Sequence, residues 1–111
     1  MERHNDHRLA EERSLALHRE VTRRLRENPV LLARARENVE RWRAQGAMAP
    51  AYADEWRRLL NGSLDALLAL LVDEGEWARA LRQNSPFTFV VSPRDRWHLW
   101  RETRVRWEAG R

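Results

Sequence analysis

Breaks in a helical pattern divide this 111-residue chain into short segments. Between the breaks, apolar residues recur at spacings of three and four, which is the period of an amphipathic helix. Proline and glycine end helices, because proline lacks an N–H donor and glycine tolerates the backbone of a helix end. The pattern predicts an all-α fold, a compact single-domain bundle of about five to six short helices. The breaks fall at Asn28–Pro29, Gly46, Asn61–Gly62, Gly75 and Asn84–Pro86.

The ends of the predicted helices follow from capping residues. The first two helices are expected over about Leu9–Glu27 and Pro29–Gln45, with Asn28 as the N-cap of the second. A third ends at Asn61–Gly62, and a fourth follows Ser63, which is a good N-cap. A fifth, short helix ends at Asn84, and the last one begins at Ser92, with Pro93 at its first position and Asp95 in a capping-box position. It is expected to run to about Trp107.

The fourth predicted helix carries the widest apolar face and is therefore expected to form the centre of the core. Leu64, Leu67, Leu68 and Leu71 share that face. The chain is long enough for one domain, which we place over residues 1–111, with residues 1–8 frayed at the N-terminus. Of the six tryptophans, Trp56 and Trp97 are expected inside and Trp107 at least partly exposed.

The segment Ser85–Trp100 differs from the rest of the chain. Two Ser-Pro pairs enclose a run with extended-chain preferences, which predicts a short extended segment near residues 86–91. A basic helix with several tryptophans follows. The apolar run between the two Ser-Pro pairs either fills the core or forms a binding surface for a partner.

Charge and composition narrow the classes of function. All 21 basic residues are arginine, but acidic residues nearly balance them and leave a net charge of +4. There is no cysteine, which excludes disulfides and thiolate metal sites and fits a reducing compartment. The charged N-terminus does not resemble a secretory signal, and no apolar run approaches the roughly 20 residues of a membrane span. We therefore expect a cytoplasmic protein that does not enter membranes.

No catalytic, cofactor or metal site is expected. His4 and His7 are three residues apart but lack further ligands of matching spacing. His18 lies on the apolar stripe of the first helix, where a packed histidine with one nitrogen satisfied is more common than a catalytic one. The serines lack the glycine elbow that activates a nucleophile, and the glycines do not form a phosphate loop. The sequence thus predicts a protein that is not an enzyme.

Arginine and tryptophan together are typical of binding surfaces. Arginines of the first and last helices could contact phosphates, yet interleaved acidic residues favour pairing within each helix over one positive field. Tryptophan and arginine are also the residues enriched at the centres of protein interfaces. A protein partner is therefore favoured over DNA.

Three segments of the sequence resemble a known group of proteins. They are E-R-S-L-A-L-H-R-E-V at residues 12–21, W-R-R-L-L-N-G-S-L-D-A-L-L-A-L-L at 56–71, and A-L-R-Q-N-S-P-F at 80–87 with S-P-R-D-R-W at 92–97. Together they are similar to small, arginine-rich, all-helical bacterial proteins of antitoxin-like type from toxin-antitoxin-like gene pairs. The resemblance implies a cognate partner protein and assigns no binding residue.

The leading hypothesis is a non-enzymatic, antitoxin-like module that sequesters or inhibits a cognate protein, a toxin enzyme encoded nearby. One alternative is a small DNA-binding regulator that represses its own operon, and another is a helical homodimer. The residues expected to contact the partner combine aromatic anchors with arginines: Phe87, Phe89, Arg94, Arg96, Trp100 and Arg104.

Overall fold

The computed structural model describes the backbone of residues 2–110 and the side chains of residues 7–110. The described part is all helical and contains no strand, which confirms the predicted fold class. Its elements are α1 (Glu2–Glu27), α2 (Leu31–Ala44), α3 (Pro50–Asn61), α4 (Leu64–Leu71), α5 (Glu76–Gln83), a 3₁₀ turn (Thr88–Val90) and α6 (Pro93–Ala109).

Local capping chemistry sets the starts of α4 and α6. The Ser63 hydroxyl accepts the Ala66 N–H at 3.1 Å, and the Ser92 hydroxyl accepts the Asp95 N–H at 3.1 Å, as the sequence predicts. Gly46 follows α2 with a φ of 73°, a conformation that favours glycine. The prediction of Asn28 as N-cap of α2 is wrong: Val30 holds that place, because Pro29 and Val30 first form a turn.

The first helix is longer than predicted, since α1 begins at Glu2 rather than near Leu9. Fraying of residues 1–8 stays a prediction, because most of these residues lie outside the range, 7–110, whose side chains the structure describes.

The long helix α1 is the support on which the other elements assemble. Helices α4, α5 and α6 and the 3₁₀ turn all pack against it, while α2 packs on α3 and α3 on α4. Helix α4 turns Leu67, Leu68 and Leu71 into the core, as predicted. Trp56 lies fully buried at the centre and meets the Phe87 ring edge to face, with ring centres 5.9 Å apart.

The prediction of an extended segment near residues 86–91 is wrong for most of its length. Thr88–Val90 forms a 3₁₀ turn, closed by a 3.0 Å hydrogen bond from the Val90 N–H to the Phe87 carbonyl. Val91, which follows the turn, has extended dihedral angles. The turn keeps Phe87 and Val90 buried on the same side, where a strand would have alternated its residues between two faces.

Two of the three predictions about tryptophan are confirmed. Trp56 is buried and Trp107 is partly exposed. Trp97, however, is 52% exposed, so the prediction that it lies inside is wrong. Helix α6 turns a different stripe toward α1, in which Leu99 is half-buried and Thr103 is buried. Thr103 can occupy that position because its hydroxyl donates to the Leu99 carbonyl at 2.7 Å.

Among the described helices, none has an apolar stretch that could cross a membrane.

Candidate functional site

Helix α6 presents a stripe of large side chains to solvent. Trp97, Arg101 and Val105 follow one another at intervals of four residues, so they lie on one side of the helix. Trp97 is 52% and Val105 65% exposed. Arg94 and Arg104, each seven residues from a member of the stripe, fall on the same side and are exposed. We call these five residues the α6 outer face.

The outer face is basic as well as aromatic. The Arg101 guanidinium lies 4.8 Å from the centre of the Trp97 ring, which is a cation–π contact that holds both side chains. Arg104 donates to Glu108 at 3.0 Å along the helix. Arg94 pairs with no carboxylate among the described residues. Beside Val105 lies an open depression of about 370 Å³, lined also by His98, Glu102 and Arg106.

The six predicted contact residues do not form one surface. Arg94 and Arg104 lie on the outer face of α6, as described. Arg96 is half-buried on another side of α6, and its Nε is buried without a hydrogen-bond partner among the described residues. Trp100 is 39% exposed and lies beside Arg13 of α1, whose guanidinium is 5.9 Å from the ring centre.

The two phenylalanines lie away from the outer face. Phe87 is completely buried against Trp56, so it fills the core, which was the alternative explanation for the Ser85–Trp100 segment. Phe89 is half-buried against the core and is covered by the Arg34 guanidinium at 4.5 Å. Neither ring offers the free face that an interface anchor requires.

One arginine of α1 fixes the start of α6. Arg24 donates to the Val90 carbonyl at 2.9 Å, to Asp95 at 3.0 Å and to Glu20 at 2.8 Å. Glu20 also accepts hydrogen bonds from Arg23, and this bonding, together with that of Arg24, lowers the Glu20 pKa to about 2. Asp95 at the N-terminus of α6 thus bonds to α1 instead of closing a capping box, and it sets where α6 lies on α1.

A buried histidine–serine pair connects α1 to the end of α5. The Nδ1 of His18 lies 2.7 Å from the Ser14 carbonyl, and Nε2 lies 2.7 Å from the Ser85 hydroxyl. Since a carbonyl can only accept, Nδ1 carries the proton and Nε2 accepts from Ser85. The Ser85 oxygen in turn accepts the Phe87 N–H at 3.2 Å. Both ring nitrogens therefore have hydrogen-bond partners, whereas the sequence predicts a partner for one of them.

Burial keeps this imidazole neutral. Desolvation lowers the pKa of His18 to about 4, the hydrogen bond to Ser14 opposes the shift, and the charge of Arg82 adds to it. A neutral imidazole that accepts a serine proton is the arrangement of a nucleophile and its base. Here, however, Ser85 is only 5% exposed, and the neighbouring Phe87 N–H bonds to the hydroxyl itself instead of pointing to a developing oxyanion. The pair therefore acts as a buried structural connection.

Sequence reasoning missed the arginine beside this pair. Arg82 is 6% exposed, and its Nη1 donates to the carbonyls of Asp73 at 2.6 Å and Leu71 at 3.3 Å. Burial, followed by the repulsion from Arg79, lowers its pKa. The sequence contains a pattern that indicates the burial of Arg82, because this residue lies four residues after Ala78 and next to Leu81, on the buried face of α5.

The described side chains bring no group of three or more histidine and carboxylate residues together as a metal site would require. Comparisons with models of protein families, with curated proteins and with solved structures found no match to this chain.

Proposed function

We propose that the protein is a cytoplasmic, bacterial, antitoxin-like module that binds and inhibits a cognate protein without being an enzyme itself. The observation that carries this proposal is the exposure of Trp97 and Val105 together on α6. An isolated exposed apolar residue is ordinary, but a tryptophan with arginines around it is the composition of interface hot spots.

The chemistry of the outer face defines the partner. Arg94 and Arg101 offer planar guanidinium groups to carboxylates, and Arg94 has no carboxylate partner within the described part of the chain. Trp97 offers a ring that could enter an apolar pocket, and the depression beside Val105 could receive a side chain in return. The partner should therefore present an acidic surface with an apolar pocket at its centre.

The support given to α6 also favours this role. Arg24 fixes the start of α6 against α1, and Leu99 and Thr103 pack its inner side. The outer face thus lies on a helix that is already fixed in the free protein. Such a preorganised surface loses less conformational entropy on binding.

Co-expression with the neighbouring gene tests the proposal. We expect the wild-type chain to co-purify with the neighbour's product and to relieve its toxicity, and we expect the outer-face variant Trp97→Ala to do neither. Trp77→Ala is the matched control, because Trp77 is an exposed tryptophan of α5 at 48% exposure. If the wild type neither co-purifies nor relieves toxicity, the proposal fails. Binding to upstream DNA that weakens steeply with salt would instead favour the regulator hypothesis.

A further inference from the structure

An open cavity of about 300 Å³ is lined by α1, α5, the 3₁₀ turn and α6, apart from the α6 outer face. Its walls combine two arginines with hydroxyl groups and an aromatic ring. This volume is at the lower end of the range typical of small-molecule sites. The residues that matter for its chemistry are Arg13, Ser14, His18, Arg82, Thr88 and Trp100.

The first arginine, Arg82, is a buried charge, and the attraction of the acidic groups near it (Asp73, Glu74 and Glu11) does not outweigh its desolvation and the repulsion from Arg79. Arg82 is 6% exposed, and none of the described carboxylates lies within 4.0 Å of it. Its two hydrogen bonds within the described residues both start from Nη1 and end on backbone carbonyls. Burying a charge is costly unless a partner compensates it, so Arg82 provides an electrostatic attraction for an anion.

The second arginine, Arg13, reaches the same cavity from α1. Its Nε is buried and has no hydrogen-bond partner among the described residues, and no ion pair involves its guanidinium there. The guanidinium lies 5.9 Å from the centre of the Trp100 ring. Arg13 and Arg82 thus both line one cavity, and neither forms an ion pair with a carboxylate among the described residues. An anion in the cavity would be attracted by both charges.

The other walls limit which anion fits. His18 is neutral and uses both ring nitrogens elsewhere, so it adds neither charge nor a donor. Arg13 and Arg82 lie inside α1 and α5, where the backbone N–H groups bond within the helix. The two arginines therefore contribute side chains to the cavity, and its lining includes no N-terminus of an α-helix, the element that commonly holds phosphate. Planar guanidinium groups match the planar carboxylate, and Trp100 and Leu17 offer apolar contact.

We propose that this cavity binds a small organic anion with a carboxylate group and a planar apolar part. The carboxylate lies between the Arg13 and Arg82 side chains, and the apolar part contacts the Trp100 ring. A free aromatic acid and an acidic side chain of another polypeptide both contain a carboxylate, so the test separates these two sources.

Nuclear magnetic resonance titration of the ¹⁵N-labelled full chain tests the proposal. The probes are benzoate, its neutral analogue benzamide, phenyl phosphate, and N-acetylglutamic acid amide as a side-chain carboxylate. We expect benzoate to shift the Trp100 indole N–H signal with a dissociation constant on the order of 1 mM, as suits so small a ligand. Benzamide should bind at least about tenfold more weakly, because it lacks the charge.

Variants connect the binding to the two arginines. Arg13→Gln should weaken benzoate binding about tenfold or more, whereas Arg101→Gln on the outer face should leave it unchanged. Arg82→Lys keeps the charge in the buried position and should weaken binding less than Arg82→Met, if both variants fold. Arg13 is only half-buried, so its variant keeps the test decisive when the Arg82 variants do not fold.

The binding results distinguish the two sources of the carboxylate. Binding of benzoate but not of the glutamate amide indicates a free aromatic acid, and binding of both indicates that a polypeptide side chain also fits. The proposal is overturned if benzamide or phenyl phosphate binds as well as benzoate, if Arg13→Gln has no effect, or if no probe binds at about 50 mM. Loss of the protein partner through Trp97→Ala would not affect these results, so the two proposals fail independently.

Discussion

His18 Nε2 lies 2.7 Å from the Ser85 hydroxyl, although 67 positions of chain separate the two residues. This hydrogen bond connects the middle of α1 to the connector that leads to α6. Ser85 also accepts the Phe87 N–H and so shapes the turn that places Phe87 in the core. One buried hydroxyl thereby joins α1 to the turn that places Phe87 in the core.

Removing that hydroxyl should destabilise the protein. Ser85→Ala leaves both the His18 nitrogen and the Phe87 N–H unpaired in a buried site, and because each unpaired group costs about 1–3 kcal/mol, the loss of unfolding free energy should be at least about 2 kcal/mol. Ser63→Ala is a useful comparison, because it removes one exposed cap and should cost about 1 kcal/mol. Urea unfolding of the two variants measures the difference. Equal losses would contradict the connecting role of Ser85.

Protonation of His18 should weaken the fold in acid. Its folded pKa of about 4 lies below the unfolded value of 6.5, so the unfolded chain takes up the proton first. The stability present above pH 6.5 should fall as the pH drops toward 4, by about 3 kcal/mol at most. Urea unfolding at several pH values measures this slope. In His18→Gln, which does not titrate, the slope between these pH values should largely disappear, and an unchanged slope would show that another group causes it.

The two phenylalanines should respond differently to truncation. Phe87→Ala removes a fully buried ring beside Trp56 and should cost about 3–5 kcal/mol of unfolding free energy. Phe89→Ala removes a half-buried ring under Arg34 and should cost clearly less. Thermal unfolding monitored by circular dichroism ranks the variants. A larger loss for Phe89 would contradict the placement of these rings.

Arg24 should control the attachment of α6. Arg24→Met removes the donors to the Val90 carbonyl and to Asp95, and we expect a loss of about 1 kcal/mol together with faster hydrogen exchange at the start of α6. Arg23→Met is the control, because exposed Arg23 pairs with Glu20 and Glu27 of its own helix and, within the described residues, with no carboxylate of α6. Exchange rates that rise equally in both variants would argue against a specific role for Arg24.

Local features of the fold are predictable from the sequence because their causes are local. Ser63 and Ser92 cap helices through hydrogen bonds that span three residues, and the leucine spacing of α4 indicates a buried face wherever that helix packs. The 3₁₀ turn at Thr88–Val90 was less predictable. Its residues prefer extended chain, but burial of Phe87 and Val90 on one side decides its conformation.

Contacts between distant segments could not be predicted in the same way. Helix α6 has two stripes with tryptophan, and only the position of α1 decides that Leu99 and Thr103 face inward and Trp97 outward. The contact between His18 and Ser85 likewise depends on how α5 packs against α1. For the same reason, the six predicted contact residues divide between four places: the outer face (Arg94, Arg104), the core (Phe87, Phe89), the cavity wall (Trp100) and another side of α6 (Arg96).

Affinity for the product of the neighbouring gene tests the central claim most directly. Isothermal titration of the purified proteins should show that Trp97→Ala combined with Val105→Ser weakens binding about thirtyfold or more, as loss of a hot spot does, while the unfolding midpoint stays unchanged. Trp77→Ala, which removes an equally exposed tryptophan from α5, should bind like the wild type. If the double variant binds the partner as tightly as the wild type, the α6 outer face is not the binding surface.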